Sequence, residues 1–310
     1  MDPPEHTEFR RINDRYFPPD LMDAFEPSCR RIAADLIDDL TRGVPTDLMP
    51  ALAEIFALRV QNAFLGWPAE LEEPLRRWTA KNRAATLAQD RPAMAAIAVE
   101  FDGFIRDLLA ARRQAGDAAP DDLTTRLLGE RVWDRPMTDD ELVSLLRNWT
   151  VGELSTISAS VGDPGALPGG APTDPAAAPG RPLVDSGSER RDPAHARAAD
   201  RQPSRDDPAG RGRRSAHRRG RVTVLWASAN RDEAVFGDPD EFRLDRDPAD
   251  NLLYGQGIHV CPGAPLARLE LRVLVEELLA RTTELAPADV APARAHYPGS
   301  GFATLPLVLH

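Results

Sequence analysis

The chain has 310 residues, 42% of them hydrophobic, and a formal net charge of −11. That length and apolar share suffice for one large or two ordinary buried cores, and the acidic balance excludes a general nucleic-acid binder, which needs a basic face. No apolar run approaches the ~18 residues of a membrane span. The start, Met1-Asp2-Pro3-Pro4-Glu5, lacks a basic-then-apolar leader pattern, and Cys29 and Cys261 lie too far apart to suggest a disulfide framework. The expectation is a cytoplasmic protein with neither a membrane nor a nucleic acid as partner.

Residues 1–162 read as a series of helices. Leu21 to Leu40 carries Leu21, Phe25, Ile32, Leu36, Ile37 and Leu40 near helical spacing. Leu71 to Leu87 is charged and amphipathic. Ala93 to Arg113 ends in Arg112 and Arg113 before Gly116, with cations suited to a last turn. Thr138 followed by Glu141 makes a capping box, opening a helix through Leu142, Leu145, Leu146 and Trp149 towards Val161. Composition then changes abruptly. Residues 163–220 contain no Ile, Phe, Tyr, Trp, Met or Lys, so as written they cannot bury enough apolar surface to offset chain entropy and should be disordered. Beyond them, Val222 to Trp226 reads as a strand, Ala264 to Ala280 as a helix, and Phe302 to Leu309 as a closing strand.

The most informative stretch is Tyr254-Gly255-Gln256-Gly257-Ile258-His259-Val260-Cys261-Pro262-Gly263, directly before the Ala264 helix. A cysteine that binds a metal must be a thiolate, which needs a lowered pKa, and a helix N-terminus supplies unpaired N–H groups and a positive dipole end. Glycines permit tight turns and close approach to a flat ligand, and Pro262 stiffens the turn. The bland alternative is an inert turn cysteine. The stretch resembles the haem-binding loop of the cytochrome P-450 family, aromatic-Gly-x-Gly-x-His/Arg-x-Cys-x-Gly, with Tyr254 where Phe is usual. The resemblance implies that Cys261 is the axial iron ligand, that His259 reaches a haem propionate, and that Tyr254, Gly255, Gly257 and Gly263 shape the cofactor loop. A cysteinate ligand pushes electron density onto iron and favours O–O cleavage.

Three further segments resemble the same family. Ala229-Asn230-Arg231-Asp232, Phe236, Asp238-Pro239, Phe242 and Arg246 look like the meander before the loop. Asp2 to Arg10 looks like the helix that crosses the haem, with His6 and Arg10 one turn apart and suited to the two propionates; solvated ion pairs with Glu5 or Glu8 are the alternative. Arg147 to Thr156 resembles the central helix over the iron. Gly152 makes room for dioxygen, and Glu153, Ser155 or Thr156 would relay protons. Glu153 sits one place early, Leu154 holds the usual acid position, and Ser155 aligns with the usual Thr. Ordinary hydroxyls bonded back to the preceding turn are the alternative. Cys29 reads as packing.

The resemblance implies a mainly α fold, a helical bundle with small β-sheets, incomplete in this chain. Residues 1–162 would be its distal-side helices, with 68–89 and 94–109 over the pocket, and 221–310 its meander, thiolate loop and proximal helix. The family's N-terminal sheet strands and first helices are expected upstream of Met1. Its Glu-x-x-Arg helix should fall within 163–220, where no Glu has Arg three residues later. Read one base later, the codons for Asp163 to Pro168 permit Ile-Leu-Ala-His-Tyr-Leu, and those for Arg191 to His195 permit Glu-Ile-Leu-Arg. An out-of-frame segment accounts for the composition, the sharp edges and the lost motif together; a genuine Pro/Arg-rich linker is the alternative.

The implied activity is insertion of one atom of dioxygen into a small organic substrate, with haem b (iron protoporphyrin IX) as cofactor. Electrons would come from NAD(P)H through a ferredoxin and a ferredoxin reductase. Arg268 and Arg272 on the proximal helix would face the acidic ferredoxin, or are plain solvated cations. The alternatives are a non-catalytic remnant of such an enzyme and a haem-binding protein without oxygen activation.

Overall fold

The computed structural model of the chain describes residues 2–161, 226–238, 247–296 and 301–310. Residues 2–161 are mainly helical, as their periodicity requires. Helix α1 (Glu5–Asp14) leads into α2 (Pro19–Asp38), whose Met22, Cys29, Ala33, Leu36 and Ile37 form one buried stripe. Strand β1 (Pro45–Asp47) and a π-helical turn (Met49–Ala53) precede α3 (Glu54–Leu65), which is buried along most of its length and ends at Gly66 with φ 73°. There follow α4 (Glu72–Leu87), α5 (Arg91–Ala115) and the short α6 (Leu123–Leu127). Asp90 and Asp122 cap the last two by accepting from the Ala93 and Thr125 N–H groups.

A two-stranded hairpin, β2 (Arg131–Val132) and β3 (Arg135–Pro136), turns the chain into α7 (Asp139–Val161), the helix expected to cross the centre. Its capping box forms in both directions. The Thr138 N–H donates to Glu141 Oε2 at 2.8 Å, and the Glu141 N–H donates to Thr138 Oγ1 at 3.3 Å. Arg135 pairs with the same carboxylate and, with these bonds, holds Glu141 down at about 2.

Past the undescribed stretch come two one-turn helices, α8 (Trp226–Ala229) and α9 (Glu233–Phe236), and then α10 (Ala264–Arg281). The expected strand from Val222 lies outside the described residues except at Trp226, which opens α8 and is therefore not extended. The expected strand 302–309 divides into β6 (Phe302–Thr304) and β7 (Pro306–Leu309), interrupted at the buried Leu305. The Leu305 N–H donates to Asp47 Oδ1 at 2.8 Å, outside the ladder. β7 lies between β1 and β4 (Leu285–Pro287), antiparallel to both; β6 pairs with β5 (Ala293–Arg294). Mainly α with small sheets is the observed architecture. The 163–220 segment lies outside the described residues.

Helix α10 packs most extensively on α2. Leu266, Leu269, Val273, Leu274 and Leu278 are all buried there, and each such side chain contributes roughly 1.5–3 kcal/mol by leaving water. At the edge of this seam Arg30 of α2 donates to Glu276 at 2.6 Å, to Glu277 at 2.8 Å and to its own neighbour Glu26 at 2.7 Å. Arg272 returns from α10 to Glu26 at 2.6 Å. These bonds from Arg272 and Arg30 pull Glu26 down to about 2.

Truncating the cap tests the register of α7. Thr138→Ala should cost about 1 kcal/mol of stability in urea unfolding, because the Glu141 N–H then loses its partner.

Candidate haem-thiolate site

The Tyr254–Gly263 loop folds back on itself. The Cys261 N–H donates to the Tyr254 carbonyl at 2.8 Å, and the Val260 N–H to the Gly257 carbonyl at 3.2 Å. That path needs left-handed backbone at Gly255 and Gly257, both with φ 72°, which side chains with a Cβ rarely adopt. Upstream, buried Asn230 ties the meander to this loop: it donates to Asn251 at 3.0 Å and accepts from the Leu252 N–H at 2.7 Å. Of the other expected meander residues, Pro239, Phe242 and Arg246 lie outside the described residues.

Cys261 is solvent-accessible, three residues before α10 begins. Surrounding protein pushes its thiol above the usual range, and Glu153 adds to that. The N–H groups of Gly263 and Ala264 and the charge of Arg10 work in the opposite direction. Gly263 lies close under the loop, where an added Cβ would stand 3.9 Å from both the sulfur and Phe17. Arg268, one turn into α10, lies over the Tyr254 ring at 4.6 Å. Arg272 is not the free surface cation of the sequence expectation, since Glu26 and Glu276 both engage it.

Helix α1 docks against the same loop. The His6 ring sits 4.4 Å from the His259 ring, edge to face, and Arg10 donates to the Val260 carbonyl. Arg10 also pairs with Asp14 at 2.6 Å, and His259 Nε2 lies 3.4 Å from Asp2. An open cleft of about 670 Å³ runs between α1 and the loop, with His6, Arg10, Gly257 and Val260 in its walls. Burial, then His259 and Arg10, lower the pKa of His6.

The α7 residues divide between two faces. Gly152 and Ser155 lie on an exposed face, and an added Cβ at Gly152 would meet nothing within 4 Å. Ser155 Oγ donates to the Val151 carbonyl at 3.0 Å and Thr156 Oγ1 to the Gly152 carbonyl, so both hydroxyls bond back to the preceding turn. Glu153 turns the other way and is buried. The structure therefore brings His6, Arg10, His259 and the Cys261 loop together, but separates Glu153 from Ser155. It also adds a residue that sequence reasoning passed over: Glu270 of α10, fully buried and within reach of the Glu153 carboxyl. The available signal was an acid beside Leu269 and one turn after Leu266, inside the apolar stripe.

An accessible sulfur with backbone donors aimed at it, two left-handed glycines, open space at Gly152 and the imidazole and guanidinium donors of α1 together fit a haem held by thiolate. No protein-family model matches the chain. It is 32% identical over 289 residues to mycinamicin IV hydroxylase/epoxidase of Micromonospora griseorubida, covering 91% of this chain and 71% of that protein. It is 31% identical over 300 residues to the cytochrome P-450 monooxygenase PikC of Streptomyces venezuelae, covering 94% and 70%. A solved mutant of the mixed-function P-450 MycG, in complex with mycinamicin IV, superposes with a TM-score of 0.74 at 27% identity, over 99% of this chain and 79% of that one. The chain belongs to the cytochrome P-450 family of haem-dependent monooxygenases. Its members use haem b and electrons passed from NAD(P)H through redox partners. Among the described residues no helix is long and apolar enough to cross a membrane.

The two thiols should behave differently in cofactor-free protein. Cys29 is buried, and burial with the nearby Glu153 charge pushes it up to about 12. A thiol reagent at pH 8 should label one equivalent, at Cys261, and Cys29 only after unfolding. Fast labelling of two equivalents in the native state would show that α2 is not packed as described.

Proposed function

We propose that Cys261 supplies the axial thiolate of haem b, with His6, Arg10 and His259 holding the propionates. The observation that carries this reading is the accessible sulfur at the head of α10 beside the Gly263 and Ala264 N–H groups. Haem, when bound, supplies the oxygen-activating iron. The protein's own residues do the rest. Gly255 and Gly257 let the loop lie flat, the backbone N–H groups stabilise sulfur as thiolate, and the Arg10 guanidinium and His6 imidazole of α1 donate to carboxylates. Gly152 leaves room beside α7, and Glu153, Ser155 or Thr156 carries protons inward. The substrate is a small organic molecule receiving one oxygen atom, and the setting is the cytoplasm. An acidic ferredoxin with its reductase supplies electrons, approaching α10 near Arg268.

A second reading is a haem-binding protein without oxygen activation. What favours it is that Ser155 and Thr156 already spend their hydrogens on backbone carbonyls. For residues 163–220 we propose an out-of-frame origin, which resequencing of the gene decides.

Haem added to the purified chain, followed by reduction and carbon monoxide, should give the Soret band of a thiolate-ligated iron. Cys261→Ala should abolish that band, and its survival would overturn the assignment. The band without any substrate oxygenation, given a competent ferredoxin and reductase, would favour the second reading.

A further inference from the structure

Helices α7 and α10 meet across two carboxyl groups. Glu153 is 9% exposed and Glu270 is 0% exposed. Glu153 Oε1 and both carboxyl oxygens of Glu270 are buried without a hydrogen-bond partner among the described residues. No described cation pairs with either. The guanidinium groups of Arg30 and Arg272, at the edge of the α2–α10 seam, are committed to Glu26, Glu276 and Glu277. The other titratable groups within reach are Cys29 from α2, and Tyr254 and Cys261 from the loop; the Glu153 charge raises all three, and Glu270 also acts on Tyr254.

Two adjacent buried carboxylates without a counter-ion cannot both stay ionised, because desolvation and mutual repulsion each favour a bound proton. With a proton retained, one carboxyl can donate to the other, and the orphaned oxygens become a bond between helices. We propose that Glu270 is a positioning residue that shares a proton with Glu153 and thereby fixes how α7 is rotated against the helix that follows Cys261.

The geometry gives this rotation a consequence. In an α-helix, positions one and two residues away point about 100° and about 200° from a given side chain. Turning Glu153 inward therefore places Gly152 and Ser155 outward together, on the exposed face where they are found. The anchoring itself does not depend on the haem-thiolate reading; only the use of the exposed face does.

Burial raises the Glu153 carboxyl above its ordinary range, with its contact to Glu270 working against the rise; burial and then the Glu153 charge push Glu270 well above. The folded chain thus binds more protons than the unfolded one. The pair's stabilisation is full below the ordinary carboxyl range and declines as pH rises through the folded values. Each extra proton makes the folding constant fall tenfold per pH unit.

The test is urea unfolding of the full cofactor-free chain between pH 5 and pH 8, compared with Glu270→Gln and Glu153→Gln. A glutamine cannot ionise but can still donate to the remaining carboxylate. The wild-type folding constant should fall up to tenfold more per pH unit than that of either variant, so each variant gains on the wild type as pH rises. A ratio of wild type to variant that stays constant across this range would overturn the proposal. Should a variant not fold, proton uptake by the wild type on refolding at pH 7 reads the same property: uptake approaching one proton per chain supports it, and none overturns it. Neither readout involves haem, so failure here is distinct from loss of the thiolate signature.

Discussion

The position of Cys261 depends on α10 being held against α2. A loop that must present an accessible sulfur cannot also bury itself, so its placement is borrowed from the helix behind it. Leu266, Leu269, Val273, Leu274 and Leu278 give that helix a dry face, and the non-directional hydrophobic term supplies most of the attachment. Direction comes from the edge. Arg30 reaching Glu276 and Glu277, with Arg272 reaching back to Glu26, favours one axial register of α10 over its neighbours. Such exposed pairs add little energy singly, yet several converging on one guanidinium penalise a slip by one turn. The sulfur, three residues before α10 begins, inherits that register.

The second constraint lies deeper and works through chemistry opposite in kind. Arg30 is satisfied and partly wet. Glu153 and Glu270 are dry and have no cation among the described residues. A fully apolar seam between α7 and α10 would be more stable, since burying polar groups is costly. An acid on each helix at this one place instead specifies a rotation, as a single polar pair can specify register in other helix assemblies. It also links the field at Cys261 to the charge of the pair, because Glu153 is among the groups that disfavour the thiolate. Keeping a proton on the pair therefore helps the sulfur as well as the packing.

Much of this was legible in the sequence because it rests on short-range rules. The Thr138/Glu141 box, the Gly116 end of α5 and the apolar periods of α2 and α10 are local, and the helices follow them. The Cys261 loop is local too, since glycines, cysteine and helix start fall within ten residues. His6 and Arg10 were legible through their one-turn spacing, although not that His6 would meet His259 edge to face, a contact across 253 positions of chain. Trp226 was misread because β-propensity near it is strong and the structure there makes a single helical turn. The engagement of Arg272 by Glu26 was not legible, because that partner is supplied by a different helix.

Glu153 shows where pattern reading reaches its limit. As a one-dimensional motif, Gly152-Glu153-Leu154-Ser155 invites the view that acid and hydroxyl act together, with the acid displaced by one place. On a helix a displacement by one place is a rotation of about 100°, which carries a carboxyl from the open face to the packed one. Whether that removes the acid from the chemistry or gives it a new duty depends on what waits on the packed face. Here it is Glu270, an acid in an apolar stripe that has no partner on its own helix. The two departures, an early acid on α7 and a charged residue in the α10 stripe, are each unfavourable alone and become intelligible only as a pair.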